Sequence, residues 1–284
     1  MTTAGSGATA APAIVAGTSV AALQRAALLA PLENRILLCH VLGLTRVALI
    51  TQSERCLTAP EAQQLAALVA RRMAGEPIAY LVGQREFFGL PFEVDGAVLI
   101  PRPDTELLVE LALERLPPQG SVLDMGTGSG AIAVALAHRR PDATVTALDV
   151  SPAALAVARR NATSNNTTVH FVHSDWFDAL AGQRFSLIVS NPPYIAAGDP
   201  HLDQGDLRFE PAGALTDHAD GLAALRRIVA GAAAHLQPQA WLLMEHGYDQ
   251  AAAVRALLAD AGYTSVQSWT DLAGIERVSG GRLA

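Results

Sequence analysis

The chain has 284 residues, a hydrophobic fraction of 50% and a formal net charge of −7. This length suffices for one large or two modest globular domains with a sizeable core. Residues 1–100 hold seven arginines and seven acids, whereas residues 101–284 hold 13 arginines and 20 acids, so the second half carries the whole negative charge. An acidic second half is a poor electrostatic match for duplex DNA, and stable nucleic-acid binding is not expected.

The N-terminal segment and the two cysteines bear on location. The sequence has no basic stretch followed by an apolar core and no apolar run of about 18 residues, which predicts neither a signal peptide nor a membrane span. Cys39 and Cys56 lack CxxC spacing and neighbouring metal ligands, which indicates reduced thiols and no metal site. Residues 1–15, rich in Ala, Gly and Thr, are expected to be disordered. We therefore expect a cytoplasmic protein.

Residues 16–84 are predicted to form a helical domain. Apolar residues recur at helical spacing between Ser19 and Gly75. Thr58-Ala59-Pro60-Glu61 has the pattern of a capping box with proline in the first turn, and Gly75 suits a helix stop. We expect four or five short helices that serve either as a stabilising cap or as a docking surface for a macromolecular substrate.

Residues 85–100 are predicted to be a β-hairpin linker. Phe87–Val94 and Val98–Ile100 look like two short strands on either side of Asp95-Gly96. The prolines of the segment Ile100–Glu106 then fix the entry to a helix that runs to about Leu116. The domain that carries the chemistry is expected over residues 101–284.

From Ser121 onward, strand and helix patterns alternate. Strands are predicted near 121–125, 143–149, 168–173, 185–190, 239–245, 263–269 and 275–281, with helices near 129–138, 152–162, 219–236 and 248–261. This alternation predicts an α/β domain with a parallel sheet covered by helices on both faces. In such a sheet, ligands bind at the carboxyl ends of the strands.

A glycine-rich loop follows the first of these strands. Gly126, Gly128 and Gly130 are spaced G-x-G-x-G between an apolar strand and a helix of small residues, whereas the dinucleotide fingerprint is G-x-G-x-x-G. Glycines permit a tight turn and let a ligand approach the backbone. Asp149 ends the next strand, 23 positions after Gly126, and is placed to accept hydrogen bonds from two ribose hydroxyls.

The tetrapeptide Asn191-Pro192-Pro193-Tyr194 ends the apolar run 185–190. Two consecutive prolines cannot lie within a sheet, because neither donates to the ladder. The Asn191 side-chain oxygen and a prolyl carbonyl can accept both N–H bonds of a planar NH2 group, and the Tyr194 ring can cover one face of it. Alone, the tetrapeptide indicates only a proline-rich turn. Combined with the glycine loop and Asp149, it resembles the class I methyltransferases that use S-adenosylmethionine (SAM).

That resemblance implies a Rossmann-like, seven-stranded, mostly parallel sheet that binds SAM and releases S-adenosylhomocysteine. Asp175-Trp176 follows the strand at 168–173 and suits the adenine, although Trp176 could equally be a half-buried packing residue. Asp124 either faces the cofactor amino group or caps the loop. The expected cofactor-binding residues are Gly126, Thr127, Gly128, Ser129, Gly130, Asp149, Asp175, Trp176 and Asn191.

Further motifs narrow the resemblance to one family. They share their order and spacing with that family over roughly residues 20–284, and they are Leu81–Gly83, Arg85–Phe87, Ile100–Glu106, Asp124–Gly130, Ser174–Trp176, Ser190–Ile195, Asp199–Leu202, Gln204–Asp206, Arg208–Pro211 and Glu245–Gly247. The combination resembles the bacterial peptide chain release factor glutamine methyltransferases (the PrmC/HemK family). One modest departure is Ser129, where Thr is common, and a hydroxyl is kept.

The family resemblance implies an enzyme that transfers methyl from SAM to the side-chain amide nitrogen (N5) of a glutamine. That glutamine lies in the Gly-Gly-Gln motif of class-1 release factors, which would be the protein partners. Asn191, Pro192 and Tyr194 would be catalytic, and together with Pro193 they would bind the glutamine amide. Arg102 and Glu210 would either orient the partner or form a surface salt bridge.

Three alternatives remain open at this point. A close relative that methylates a ribosomal-protein glutamine would carry the same tetrapeptide. An adenine-N6 or cytosine-N4 DNA methyltransferase would also hold a planar NH2, but it would need a base-flipping pocket and a basic cleft, which a charge-neutral N-terminal region does not indicate. The third alternative is a SAM-binding or scaffold protein without catalysis, against which the intact glycine loop and tetrapeptide both argue.

Overall fold

A computed structural model describes residues 14–26 and 28–284 of the chain. Residues 1–13, most of the segment expected to be disordered, lie outside the described residues. The chain divides into two compact units, with the boundary between Val82 and Gly83.

The described part of the first unit contains five helices, in agreement with the expected four or five. They are α1 (Val20–Arg25), α2 (Pro31–Leu42), α3 (Arg46–Thr51), α4 (Ala59–Met73) and α5 (Ile78–Val82). The predicted capping box at α4 is confirmed, because Thr58 and Glu61 exchange side-chain-to-backbone hydrogen bonds. Leucines and valines from all five helices form one core.

The hairpin lies earlier in the chain than the sequence predicted. Strands β1 (Gln84–Phe87) and β2 (Leu90–Glu93) pair antiparallel around Phe88-Gly89, and Val98–Ile100 forms no strand. A turn does form after Asp95, where the Val98 N–H donates to the Asp95 carbonyl at 3.2 Å, but it joins no strands, so the prediction of a hairpin turn at Asp95-Gly96 is wrong. Phe88 and Gly89 adopt positive φ angles of 53° and 77°, so a bulky residue takes a left-handed turn position that ordinarily favours Gly or Asn.

Within the described residues, the second unit is built on a seven-stranded sheet in the order β5-β4-β3-β6-β7-β9-β8. The strands are β3 (Ser121–Met125), β4 (Thr144–Asp149), β5 (His170–His173), β6 (Phe185–Ser190), β7 (Leu236–Glu245), β8 (Thr264–Thr270) and β9 (Glu276–Arg282). The pairs from β5 to β7 are parallel, and only the pairs that involve β9 are antiparallel. The prediction of a mostly parallel sheet is confirmed.

Helices cover both faces of this sheet. They are α6 (Thr105–Arg115), α7 (Ala131–Arg139), α8 (Pro152–Ser164), α9 (Ala212–Leu215), α10 (Ala223–His235) and α11 (Ala251–Asp260). Alternate residues of the central strands enter different cores, because successive side chains of a strand point to opposite faces. Val122 packs with α6 and α7, whereas Leu123 packs with α10 and α11.

The strand order reverses at β3, which places the ligand-binding edge of the sheet. From β3 the chain first adds β4 and β5 on one side, then returns to add β6 on the other. The carboxyl ends of β3 and β6 therefore border the crevice where ligands bind in open α/β sheets. The glycine loop leaves β3 at this crevice, and Asn191 follows β6. No helix in the described chain is long and apolar enough to cross a membrane.

Candidate active site

The glycine loop keeps an open surface toward the crevice. Gly126 and Gly128 have φ angles of 70° and 55°, and a Cβ added at either residue would meet no atom within 4 Å. Gly130 faces the other way, because a Cβ there would lie 3.1 Å from the Ala158 Cβ of α8. The first two glycines thus leave room for a ligand, and the third allows α7 and α8 to pack closely.

Asp124 holds the glycine loop in place from the loop's buried side. Its carboxylate is fully buried, and Oδ2 accepts hydrogen bonds from the Thr127 hydroxyl at 2.6 Å and the Ala133 N–H at 3.2 Å. Burial raises the pKa of Asp124 to about 7, against the lowering effect of these two donors. Of the two readings from the sequence, these contacts support the one in which Asp124 caps the loop.

Asp149 connects the loop to the neighbouring strand. It ends β4, where Oδ2 accepts the Gly128 N–H at 2.9 Å and Oδ1 accepts the Ser151 N–H at 2.8 Å. Each carboxylate oxygen can accept a further hydrogen bond. Asp149 also lines a cleft of about 240 Å³, so its remaining lone pairs are available to a ligand there.

This cleft, which we call the first cavity, gathers most of the expected cofactor-binding residues. Its walls include Gly126, Gly128, Asp149, Asp175, Trp176 and Asn191. Asp175 is exposed and also forms a 3.2 Å ion pair with Arg227 of α10. The Trp176 ring packs partly against the core and also lines the cavity. The Trp176 backbone has a φ of 52°, in the left-handed region. The unobstructed backbone at Gly126 and Gly128, the free acceptor positions of the Asp149 carboxylate and the aromatic ring of Trp176 together fit SAM.

Two of the expected cofactor-binding residues, Thr127 and Ser129, are not among the residues that line the first cavity. Thr127 and Ser129 are buried and border a small cavity of about 50 Å³ beside Asn191. The backbone carbonyl of Ser129 accepts a 2.8 Å hydrogen bond from the Asn161 side chain. Asn161 also exchanges hydrogen bonds with the backbone of Glu93. This role of Asn161, which lies inside α8, depends on contacts with distant parts of the chain and was not predicted from the sequence.

Asn191 lies at the junction of two cavities. It lines the first cavity and also a second cavity of about 290 Å³, whose walls include Pro192 and Tyr194. Pro193 instead lines the first cavity. Consecutive residues of one tetrapeptide therefore face different spaces, with Asn191 shared between them.

The Asn191 amide is held by a residue of α6. Its Nδ2 donates to the Thr105 hydroxyl at 3.2 Å. The Tyr194 hydroxyl donates to Glu245 Oε1 at 3.1 Å. Burial, reinforced by Glu245, raises the pKa of Tyr194, so its hydroxyl stays protonated and its role as a donor is fixed.

Thr105 and Glu245 were not among the candidate residues read from the sequence. Besides its place in the family motif Glu245–Gly247, Glu245 had a local signal, since an acidic residue follows the apolar run Trp241–Met244 at the end of a predicted strand. An acid in that position points to the carboxyl edge of a parallel sheet, where ligands bind.

Arg102 and Glu210 form an ion pair that also shapes the wall of the second cavity. The Glu210 side chain is fully buried, while that of Arg102 is 32% exposed. Glu210 also accepts the Ile100 N–H at 3.0 Å. The expected salt bridge between Arg102 and Glu210 is present, but it is not a surface pair on the Glu210 side, because that carboxylate is buried and anchors the segment before α6 from inside. Arg102 and Arg277 both line the second cavity.

The fold and the crevice define a class I methyltransferase of the SAM-dependent type. A family profile described as "Methyltransferase small domain" matches residues 103–212, and one described as "PrmC N-terminal domain" matches residues 19–83. A structure titled as a methyltransferase from Pyrococcus furiosus superposes with a TM-score of 0.54 at 20% identity, covering 75% of this chain and 96% of that one. That structural likeness supports the fold.

Sequence relatives identify the family. A release factor glutamine methyltransferase from Burkholderia pseudomallei is 58% identical over 93% of this chain and 96% of its own length. One from Bordetella pertussis is 56% identical over 89% of this chain and 94% of its own length. The chain belongs to the release factor glutamine methyltransferase family.

Proposed function

We propose that the protein transfers the methyl group of SAM to the N5 side-chain nitrogen of the glutamine in the Gly-Gly-Gln motif of class-1 release factors. The observation that carries this proposal is the position of Asn191, which lines both cavities at the carboxyl end of β6. A donor bound in the first cavity and an amide bound in the second would meet at this residue. Because release factors act on ribosomes, the reaction belongs in the cytoplasm.

The first cavity is the proposed SAM site. SAM supplies an electrophilic methyl group on a sulfonium. Gly126, Gly128 and the small-residue loop would adjoin the methionine portion, with Thr127 and Ser129 supporting the loop from its buried side and Gly130 packing it against α8. Asp149 would accept hydrogen bonds from the ribose hydroxyls, and Asp175 with Trp176 would hold the adenine.

The second cavity is the proposed site for the glutamine side chain. An amide nitrogen is a poor nucleophile because its lone pair is delocalised into the carbonyl. Asn191 Oδ1 and the Pro192 carbonyl would each accept one N–H of the substrate amide and so fix the nitrogen in place, which is catalysis by orientation. As the nitrogen forms its new bond, its hydrogens become more acidic, and both acceptors bind the transition state more tightly than the ground state.

Pro193 and Tyr194 would complete the substrate site. The Tyr194 ring would confine the amide while its hydroxyl remains bound to Glu245. The Tyr194 carbonyl accepts from the Gln250 side chain at 2.9 Å, which fixes the backbone after the prolines. A phenol with a raised pKa is unsuited to act as a base, so Tyr194 would exclude water and shape the site.

The N-terminal helical domain, residues 16–84, is the proposed docking surface for the release factor. Two apolar side chains one turn apart on α3, Val47 and Ile50, are 70% and 72% exposed. Adjacent exposed apolar residues of this kind suit a protein partner. Recognition outside the reacting glutamine would account for selectivity among proteins that share a Gly-Gly-Gln sequence.

The test is methyl transfer from labelled SAM to a purified class-1 release factor. The parallel acceptors are the same factor with its motif Gln replaced by Ala, a ribosomal-protein mixture and duplex DNA. Label confined to the factor with its glutamine intact is the expected result. Label in ribosomal protein or DNA would overturn the substrate assignment, and SAM binding without transfer to any acceptor would favour a non-catalytic role.

A further inference from the structure

The small cavity of about 50 Å³ beside Asn191, which we call the third cavity, has walls in common with the other two. It shares Leu99 and Asn191 with both of them. It also shares Gly126 and Gly128 of the glycine loop with the first cavity, and Arg102 with the second. Because the first and third cavities border the same stretch of the glycine loop, one end of a ligand in the first cavity would reach the third.

The charged residues are distributed unevenly between the first and third cavities. Among the described residues, the wall of the first cavity contains the acids Asp149 and Asp175 and no Arg, Lys or His. In the wall of the third cavity, Arg102 is the one basic residue of the described chain. SAM carries a carboxylate on its methionine portion, which the acids of the first cavity would repel and the Arg102 guanidinium would attract.

The third cavity suits a carboxylate in size and in electrostatic potential. Its volume of about 50 Å³ is the share of about one or two water molecules in liquid water, which a carboxylate group would fill. Helix α7 begins at Ala131, and both Ala131 and Ile132 border the cavity. The positive end of the helix dipole favours an anion at this place. The Arg102 guanidinium adds a full positive charge and donors that match a carboxylate.

Glu210 holds the Arg102 side chain in place. The Arg102 Nη2 donates to Glu210 Oε1, and the fully buried Glu210 side chain is itself fixed by the Ile100 N–H, which donates to Oε2 at 3.0 Å. The guanidinium carries further N–H groups in one rigid plane, and the Arg102 side chain is half-buried, so donors remain for a second carboxylate. Because the side chain is already ordered, binding that carboxylate costs less conformational entropy.

We propose that Arg102 binds the carboxylate of SAM in the third cavity and that the buried Glu210 positions it for this contact. This inference rests on the proposed function, because it assumes that SAM occupies the first cavity with its methionine portion along the glycine loop. It assigns Arg102 to the cofactor, whereas the sequence suggested contact with the protein partner or a salt bridge. A carboxylate held here would keep the sulfonium methyl near Asn191, which lines all three cavities.

The test uses two ligands that differ in this one group. SAM and decarboxylated SAM, in which a hydrogen atom replaces the carboxylate, are titrated by calorimetry into the full-length wild type and each variant. The variants are Arg102→Met, which removes the charge but keeps an unbranched side chain, and Arg102→Lys, which keeps the charge but loses the planar guanidinium. Arg277→Met is the matched control, because Arg277 lines the second cavity and neither of the other two.

Arg102→Met should weaken SAM binding by about 10- to 150-fold, the loss expected for a charge-assisted hydrogen bond, and leave the binding of decarboxylated SAM unchanged. The dissociation constant of Arg102→Lys for SAM should fall between those of the wild type and Arg102→Met. Arg277→Met should bind both ligands as the wild type does. A purely structural role of Arg102 would weaken both ligands equally, because general loosening of the site does not depend on the carboxylate of the ligand.

The loss of Arg102 alone leaves the buried Glu210 carboxylate without its partner, which costs stability. The double variant Arg102→Met with Glu210→Gln removes both charges and so avoids an unpaired buried carboxylate. It should show the same selective loss of SAM binding as Arg102→Met, and it decides the matter if the single variant does not fold.

Two failures can be told apart. Wild-type protein that binds neither SAM nor decarboxylated SAM would overturn the proposed function itself. Wild-type protein that binds SAM, with either no loss or an equal loss for both ligands in the Arg102 variants, would overturn only the inference. Normal SAM affinity in Arg102→Met together with a raised KM for the release factor would also overturn it, and it would assign Arg102 to the site for the acceptor protein.

Discussion

The Asp149 carboxylate lies 2.9 Å from the backbone nitrogen of Gly128, so an acid at the end of β4 braces the glycine loop that leaves β3. Its second oxygen accepts the Ser151 N–H at the beginning of α8. The same side chain borders the first cavity. Asp149 therefore has two tasks, to hold the loop and to present acceptors to a ligand.

Replacement of Asp149 by Ala should weaken SAM binding. The loss of at least one charge-assisted hydrogen bond costs about 1.5–3 kcal/mol, which corresponds to roughly a 10- to 150-fold rise in the dissociation constant measured by calorimetry. Asp142→Ala is a suitable control, because this acid pairs with Arg140 on the surface. An unchanged constant in Asp149→Ala would remove Asp149 from the cofactor site.

The glycine loop allows a second prediction that separates packing from ligand approach. Gly130→Ala should lower the free energy of unfolding by about 1–3 kcal/mol, because its Cβ would press on Ala158 and its φ of 83° is strained for Ala. Gly128→Ala has open space around its Cβ but projects into the proposed SAM site. It should therefore raise the dissociation constant for SAM by more than Gly130→Ala does. Chemical denaturation and calorimetry on both variants would show whether the two effects separate.

Asn191→Ala should abolish most methyl transfer while it changes SAM binding much less. The variant loses an acceptor that strengthens in the transition state, and removal of such a group costs about 10²–10³ in rate. Single-turnover kinetics with saturating SAM would measure this loss directly. Near-normal turnover in Asn191→Ala would exclude the proposed catalytic role, and a large rise in the SAM dissociation constant would reassign Asn191 to the cofactor.

The sequence predicted the features that depend on local pattern. The alternation of strands and helices, the G-x-G-x-G loop after β3 and the strand stop at Pro192-Pro193 each follow from a few neighbouring residues. The hairpin was misplaced because Asp95-Gly96 is the better local turn sequence. Its real turn at Phe88-Gly89 is favoured by long-range packing, since Phe87 and Phe92 are buried in the core of the second unit.

The contact between Tyr194 and Glu245 could not be read from the sequence for a similar reason. Tyr194 and Glu245 are 51 positions apart in the chain. Glu245 reaches Tyr194 because β6 and β7 are parallel neighbours in which Ser190 pairs with Met244. That pairing places Asn191 and Glu245 each one step further along, at the same edge of the sheet. Register of this kind is set by the folded sheet and not by local propensity.

The docking proposal predicts a substrate-dependent defect. Val47→Asp combined with Ile50→Asp should raise KM for the intact release factor and leave kcat and KM unchanged for a short Gly-Gly-Gln peptide, because the peptide reaches only the reaction site. Leu272→Asp, at a fully exposed turn of the second unit, controls for the added charge. Equal KM values for wild type and the double variant would show that α3 does not dock the factor.

The buried carboxyl of Glu245 should make folding stability depend on pH in a defined direction. Its pKa is raised to about 7 in the folded protein, so between about pH 4.5 and 7 the native state binds more protons than the unfolded state, and stability falls as pH rises. The slope from this one group reaches at most about 1.4 kcal/mol per pH unit. His246, whose pKa is lowered by burial, acts in the opposite direction, so the total curve does not isolate Glu245.

The difference between wild type and Glu245→Gln does isolate it. Urea unfolding without SAM should show that the variant gains stability relative to wild type as pH rises from about 5 to 7, and that the gain levels off above the folded pKa. This result would show that the wild-type carboxylate is retained at a cost in stability. A constant difference across this pH range would mean that Glu245 does not titrate there.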